Sequence, residues 1–198
     1  MKIFREVAIT VLIAVAVFFA LRLTVQSYTV MMSSMEPSFY QGYCVMVNKV
    51  CYRSSSPERG DIIVFNPPPP HGESPYPFIK RVIGLPGDVI EIKDGIVSIN
   101  GSTLHEPYVA QEPPQNNQDI GPIVLSDDEY FVLGDNRNYS SDSRSWGPIK
   151  RDDIIGKAWF IYWPPSRWGA VKHYSYPELS RASQQEMMVS QSFGVQLE

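Results

Sequence analysis

The sequence predicts a mainly β domain carried behind a single apolar N-terminal helix. Three observations lead there. A run without charge from Val7 to Leu21, extended past Arg22 by Leu23, Thr24 and Val25, is long enough to cross a bilayer. Beyond it, short segments rich in β-branched and aromatic residues alternate with turn residues. From residue 26 to the polar tail, no segment keeps the 3.6-residue apolar period of an amphipathic helix. Composition narrows the classes further. A chain of 198 residues suits one domain. Seventeen Lys and Arg against 21 Asp and Glu give a net charge of −4, the wrong sign for a protein that neutralises phosphates, so no nucleic-acid partner is expected. With 43% apolar residues the chain is too apolar to be disordered, and with 17 prolines and 13 glycines it is too turn-rich for a helical bundle.

The apolar run spans nineteen residues from 7 to 25, and as a helix it rises about 28 Å, close to the hydrocarbon thickness of a membrane. Arg22 sits near its far end, where a long side chain can snorkel to the interface. Lys2 and Arg5 precede the run, which places the N-terminus in the cytoplasm and everything after residue 25 outside. A cleaved signal peptide stays open as an alternative, but Ala20-Leu21-Arg22 is not a small-x-small cleavage site, and a retained anchor is preferred. The expected division is a cytoplasmic 1–6, an anchor over 7–25, an extracytoplasmic domain over 26–176 and a polar tail over 177–198. The predicted strands are 43–50, 61–65, 79–83, two strands within 89–99 turning at Asp94-Gly95, 130–133 and 154–162. Residues 104–128 read as a long polar loop, and the tail as mobile or weakly helical. If the strand between Cys44 and Cys51 is continuous it holds them about 23 Å apart, far beyond disulfide reach, so both are expected as buried thiols.

Few residues offer chemistry. His71, His105 and His173 stand in no metal-ligand spacing and beside no G-x-S-x-G elbow, so neither a metal site nor a histidine-based triad is expected, and no cofactor is implied. Four stretches remain: Ser33 to Phe39, Arg59 to Phe65, Phe78 to Asp88 and Gly134 to Arg144. By residue type alone each has a plain interpretation. Ser34 can be a linker serine in an extended tether, and Gly134 to Arg144 a polar turn. Strand alternation puts Lys80 on one face and Arg81 on the other, so one of them points toward an apolar face; a buried lysine is rare unless it is paired or functional, while an edge-strand lysine with a wet head group is the ordinary case. Asn100-Gly101-Ser102 and Asn138-Tyr139-Ser140 match glycosylation sequons by pattern only.

Taken in order, the boxes S-M-x-P, R-G-D-I-I-V-F, K-R-V-I-G-x-P-G-D and G-D-N-R-x-x-S-x-D-S-R resemble those of type I signal peptidase, the membrane-anchored serine protease that removes signal peptides. The resemblance runs from the anchor to about Trp163 and points to the bacterial branch, because relatives in the endoplasmic reticulum carry histidine where Lys80 stands. It implies coiled antiparallel sheets forming the signal-peptidase/LexA-like β-ribbon catalytic domain. It implies Ser34 as nucleophile, Lys80 as general base, Ser140 as the hydroxyl assisting the lysine, and Asp142 with Arg144 as the pair bracing their loop. Val30, Met35, Phe39, Val64, Phe78 and Ile79 match positions around the substrate pockets, although half of them are expected to be ordinary core. The implied partners are preprotein signal peptides, read through small residues one and three before the cut, and the lipid bilayer; a monomer is expected. Residues 28–32, entering Ser34, should be extended and able to pair with a peptide. Two departures stand out. Met32 occupies the position where many members carry a serine that donates to the oxyanion, which leaves the Ser34 N–H as the only donor implied, and Asn138-Tyr139 stands where Asp-Asn is frequent. Two rivals stay in view: a Ser-Lys self-cleaving regulator, disfavoured by the membrane run, and an inactive membrane-tethered peptide-binding module, disfavoured by intact Ser34 and Lys80.

The chemistry sets a requirement. A serine hydroxyl needs a base, and a lysine is a base only when neutral. At the ordinary pKa about one lysine in 2,500 is neutral at pH 7; desolvation to about 8 raises that to roughly a tenth, at a cost of about 3 kcal/mol.

Overall fold

The computed structural model describes residues 2–68, 76–109, 119–177 and 179. The expected apolar run is a helix, α1 (Lys2–Thr24), of 23 residues, which rises about 35 Å. It is longer than the apolar run because the charged turn Lys2–Glu6 is also helical, while Val25 already belongs to the first strand. Every described side chain from residue 2 to 19 is exposed, and the span is apolar on all sides, a surface that water does not tolerate and lipid does. The helix fits a membrane anchor.

The chain leaves α1 directly into the larger of two antiparallel sheets. Its strands are β1 (Val25–Thr29), β2 (Cys44–Asn48), β3 (Ile62–Phe65), β4 (Phe78–Gly84), β9 (Glu129–Leu133), β10 (Ile149–Lys150), β11 (Ile154–Trp163) and β12 (Gly169–Ala170). They lie side by side in the order β1-β2-β11-β3-β4-β9-β10, with β12 on β11. The smaller sheet has the order β7-β6-β5-β8, from β5 (Val89–Lys93), β6 (Ile96–Ile99), β7 (Ser102–Thr103) and β8 (Ile120–Val124). The domain is mainly β with curled antiparallel sheets, as predicted. Register shifts along β11 and β4 bend the larger sheet.

Three apolar clusters hold the layers. Ile83, Phe131 and Leu133 meet the inner face of the smaller sheet through Ile90, Ile92 and Ile99. Val45, Val47, Ile62 and Val64 pack on Met35 and Phe39. Ile63, Phe65, Val82 and Val132 fill the opposite face of the larger sheet. Strand β3 is buried at all four positions, which explains its unbroken apolar run.

All six predicted strand regions are strands, and Asp94-Gly95 turns with both residues at positive φ, the twist a two-residue hairpin needs. Asn100 and Gly101 make a second such turn between β6 and β7. Strand β8 falls in the expected loop 104–128, whose centre, 110–118, lies outside the described residues. His71 and the tail lie outside them too, apart from positions 177 and 179. Both cysteines are free thiols, as expected, but half-buried rather than buried.

Candidate active site

Ser34 is not on a tether. After extended Met32, the chain makes a single 3-10 turn over Ser33–Met35, and Met35 and Phe39 anchor it in the core at 0% and 1% exposure. The turn is also held by its carbonyls: Asn136 donates its backbone N–H to Ser34 O (3.0 Å) and its side-chain amide to Ser33 O (3.2 Å). Ser34 is buried as a result.

Lys80 lies on β4 opposite Ile63 of β3. On the other side β9 pairs with β4 only from Arg81 onward, so Phe78–Lys80 face a cleft instead of a strand. Lys80 is 4% exposed, and its Nζ lies 2.8 Å from Ser34 Oγ and donates to Ile79 O at 3.1 Å. Its amine also sits 5.5 Å from the centroid of the Phe78 ring. Burial pushes its pKa down from 10.5 to about 8; the carboxylates of Asp142 and Asp135 pull the other way, and Arg144 adds to the depression.

The turn after β9 backs this pair. Asp142 is wholly buried and takes the Arg144 guanidinium on both oxygens (2.8 Å each) and the Gly134 N–H at 3.0 Å. Burial alone would raise its pKa, but Arg144 and the Gly134 N–H outweigh it and hold the carboxyl below its usual range. Arg144 also donates to Arg137 O (2.8 Å), closing the turn. Ser140 Oγ is buried and close enough to Asp142 to favour its charge, yet it makes no hydrogen bond of ordinary geometry, to Lys80 or to any other described group. A Cβ on Gly134 would meet Ser140 Oγ at 2.2 Å and Ser34 O at 2.5 Å, so only glycine allows the two segments to close over each other there.

Arg81 is fully buried as well, so both members of the Lys-Arg pair are inside, where alternation alone required one. Its Nε and one terminal nitrogen grip Asp135 at 2.8 and 2.7 Å, and the other donates to Gly60 O at 3.0 Å. Ser38 donates to the same carboxylate at 2.5 Å. This ion pair is absent from the expected site; the signal for it was a second cation beside Lys80 in a central strand, which needs a buried partner.

A cleft of about 170 Å³ opens over Ser34 and Lys80. Of the six expected pocket residues, Val30, Val64, Phe78 and Ile79 line it, whereas Met35 and Phe39 do not: they are core, holding the Ser34 turn from below. Tyr76, Tyr139 and Ser141, not foreseen, also line it. Residues 28–32 form one wall. Among the described residues strand β1 is an edge, paired only with β2, and Val30 continues the pairing to Tyr43. Met31 and Met32 are exposed on this wall, at 58% and 67%. His105 and His173 do not line the cleft; His173 Nδ1 instead lies 3.4 Å from Asp61 Oδ1. Among the described residues no group of His, Cys, Asp and Glu is arranged to hold a metal ion.

The family model for signal peptidase, peptidase S26, matches residues 3–163. A probable signal peptidase I-1 of Synechocystis sp. is 44% identical over 147 residues, covering 72% of this chain and 74% of that protein. A probable signal peptidase I-2 from the same organism is 43% identical over 141 residues, and there the match spans 70% of this chain but only 63% of the relative's length. Signal peptidase IB of Staphylococcus aureus is 34% identical over 189 residues, covering 87% and 95%. Among solved structures, a signal peptidase I from Enterococcus faecalis matches 52% of this chain and 96% of its own, at 35% identity and a TM-score of 0.44.

Proposed function

Since the chain belongs to the signal peptidase family, peptidase S26, we propose that it is a membrane-anchored serine endopeptidase that removes signal peptides from exported preproteins, with Ser34 as nucleophile and neutral Lys80 as general base. The observation that carries this reading is the 2.8 Å contact between Lys80 Nζ and Ser34 Oγ, made by a lysine that is 4% exposed. With its pKa near 8, roughly a tenth of Lys80 is neutral at pH 7, enough to take the serine proton as Oγ attacks the scissile carbonyl. In this reading the Ser34 N–H is the donor assigned to the oxygen on which charge develops, and Met32 offers no second side-chain donor. The lysine then hands its proton to the leaving amine, and a water activated by the same amine releases the acyl group. Asp142 and Arg144 serve this pair by holding the turn that carries Gly134 against Ser34, and Ser140, whose Oγ is buried beside Gly134, is assigned the role of aiming the amine.

An extended peptide suits a cleft walled by an edge strand on one side and by Phe78 and Ile79 on the other. Its small, mostly apolar volume favours short side chains beside the cut. The run 7–25 anchors the domain of residues 26–176, with the N-terminus cytoplasmic and the cleft on the outer face, so that enzyme and membrane-bound preprotein meet in two dimensions. The enzyme acts as a monomer and needs no metal or cofactor.

The test is cleavage of a purified preprotein in detergent. The parent protein should release the mature chain, and Ser34→Ala and Lys80→Ala should each lose at least a thousandfold in rate. Cleavage that survives either substitution overturns the Ser-Lys reading. Binding without cleavage by the unsubstituted protein would leave a peptide-binding module.

A further inference from the structure

Arg81 shares β4 with Lys80 but projects to the other face of the strand, where its in-plane donors are taken by Asp135, Gly60 O and, at 3.4 Å, Ser38 Oγ. What is left is the flat face of the guanidinium, and that face is covered by tyrosines. The centre of the guanidinium is 3.9 Å from the Tyr108 ring centroid and 5.2 Å from that of Tyr174. The two rings are 4.9 Å apart, and Tyr108 Oη meets Tyr176 Oη at 2.7 Å. Tyr108 also donates to Glu106, which takes the Arg137 guanidinium from the turn beside Ser34. Tyr174 and Tyr176 come from the chain after β12, beyond residue 163, where the family match ends. Gly60 lets this segment settle: a Cβ there would meet Tyr174 O at 2.2 Å.

We propose that Tyr108 and Tyr174, the latter on a C-terminal strap fastened by Tyr176, form an aromatic lock on Arg81 that positions Lys80 against Ser34. The argument is one of shared attachment. Arg81 is the residue after Lys80. Its carboxylate partner, Asp135, lies between Gly134, which abuts the Ser34 carbonyl, and Asn136, whose N–H holds that carbonyl. One guanidinium therefore ties the lysine strand, the serine turn and the turn behind them. A planar cation gripped only at its edge can tilt about its hydrogen bonds; rings packed against it within cation–π reach restrict that freedom. Loss of the lock lets β4 shift relative to the serine turn, and a shift of about 1 Å at a reacting pair can cost on the order of 100-fold in rate. None of the three tyrosines touches the reacting atoms; they are positioning residues.

The proposal rests on the Ser-Lys reading, and its test separates the two. Full-length Tyr174→Leu keeps an apolar side chain of useful size while removing the ring, and Tyr174→Phe keeps the ring. Both are assayed on the same preprotein from pH 6 to 10 beside Lys80→Ala, with thermal unfolding as a check on folding. Tyr174→Leu should lower kcat at least tenfold with KM changed less than threefold. It should also move the acid limb of the kcat profile upward, because a loosened Lys80 gains water and its pKa climbs back from about 8 toward 10.5. Tyr174→Phe should behave as the parent. A folded Tyr174→Leu with unchanged kcat and acid limb overturns the lock, as does a Tyr174→Phe impaired as much as the leucine variant. If the leucine variant does not fold, Tyr108→Leu is read in the same way. Activity in Lys80→Ala would instead overturn the dyad on which the lock acts.

Discussion

In the unfolded chain Lys80 titrates at its ordinary 10.5, and in the folded one at about 8. The unfolded state therefore binds more protons between these values, and stability rises with pH through that window. Below pH 8 the fold carries the whole cost of keeping this side chain dry, about 3 kcal/mol at 1.36 kcal/mol per unit. Two outcomes follow at this residue. Activity should climb with pH along a limb centred near 8, and a profile flat from pH 6 to 10 would remove Lys80 from the base's role. Lys80→Met, similar in length and apolar, should abolish cleavage yet melt several degrees higher at pH 7, the gain fading by pH 10.5; an unchanged melting temperature would mean that the amine is not desolvated. Gly134 is the other decisive position. Gly134→Ala forces a Cβ into Ser34 O and Ser140 Oγ, so the rate should fall at least 100-fold while the Lys80-dependent limb stays detectable.

At the scale of elements, the site is two turns pressed on one strand, and the brace between them is electrostatic. Asp142 is buried with its charge balanced by Arg144, whose side chain is 17% exposed. Arg144→Ala strands a buried carboxylate, a change that typically costs 3–5 kcal/mol. Because the pair holds the Asp142 pKa down, its contribution is present above the ordinary carboxylate range and is lost only as pH falls below that range through the depressed value; the variant should lose most stability near pH 7 and progressively less as pH drops below the ordinary range, which urea unfolding across a pH series would measure. Which elements were legible follows the same physics. Strands with strong alternation or unbroken apolar runs, such as β3 and β11, declared themselves. Strand β8 did not, because Gly121-Pro122 reads as a breaker; among the described residues it pairs only with β5, and an edge tolerates proline. The Asn100-Gly101 hairpin carries a turn signal as strong as Asp94-Gly95, masked in sequence by the overlapping sequon Asn100-Gly101-Ser102. Within the site, residue types mark Lys80 as unusual, but nothing local to Ser34 marks it: a serine 46 positions from Lys80 is brought to it only by the fold, and the family resemblance supplies that link. Met35 and Phe39, matched to pocket positions only through the resemblance, are core, as half of the six were expected to be, because the 3-10 turn at Ser34 directs them beneath it.

The whole molecule is divided by solvent. Every described side chain of α1 from residue 2 to 19 is exposed, the helix meets the domain at its end, where Thr24 O accepts the Lys49 N–H, and it passes without a linker into β1, the strand whose continuation walls the cleft. The cleft is thus tied by one short edge strand to the point where the chain leaves the apolar helix. Helix and domain should then separate functionally without either harming the other. Removing residues 2–22 should leave the melting transition and the cleavage of a short soluble peptide within about twofold of the full chain, because the described side chains among them are all exposed. The same deletion should abolish flotation with lipid vesicles and slow cleavage of a vesicle-inserted preprotein by 10-fold or more, since confinement to a shared surface raises effective concentration without a new contact. Equal loss on soluble and inserted substrates would mean that α1 shapes the cleft itself. Equal retention on both would mean that the anchor contributes nothing to substrate encounter.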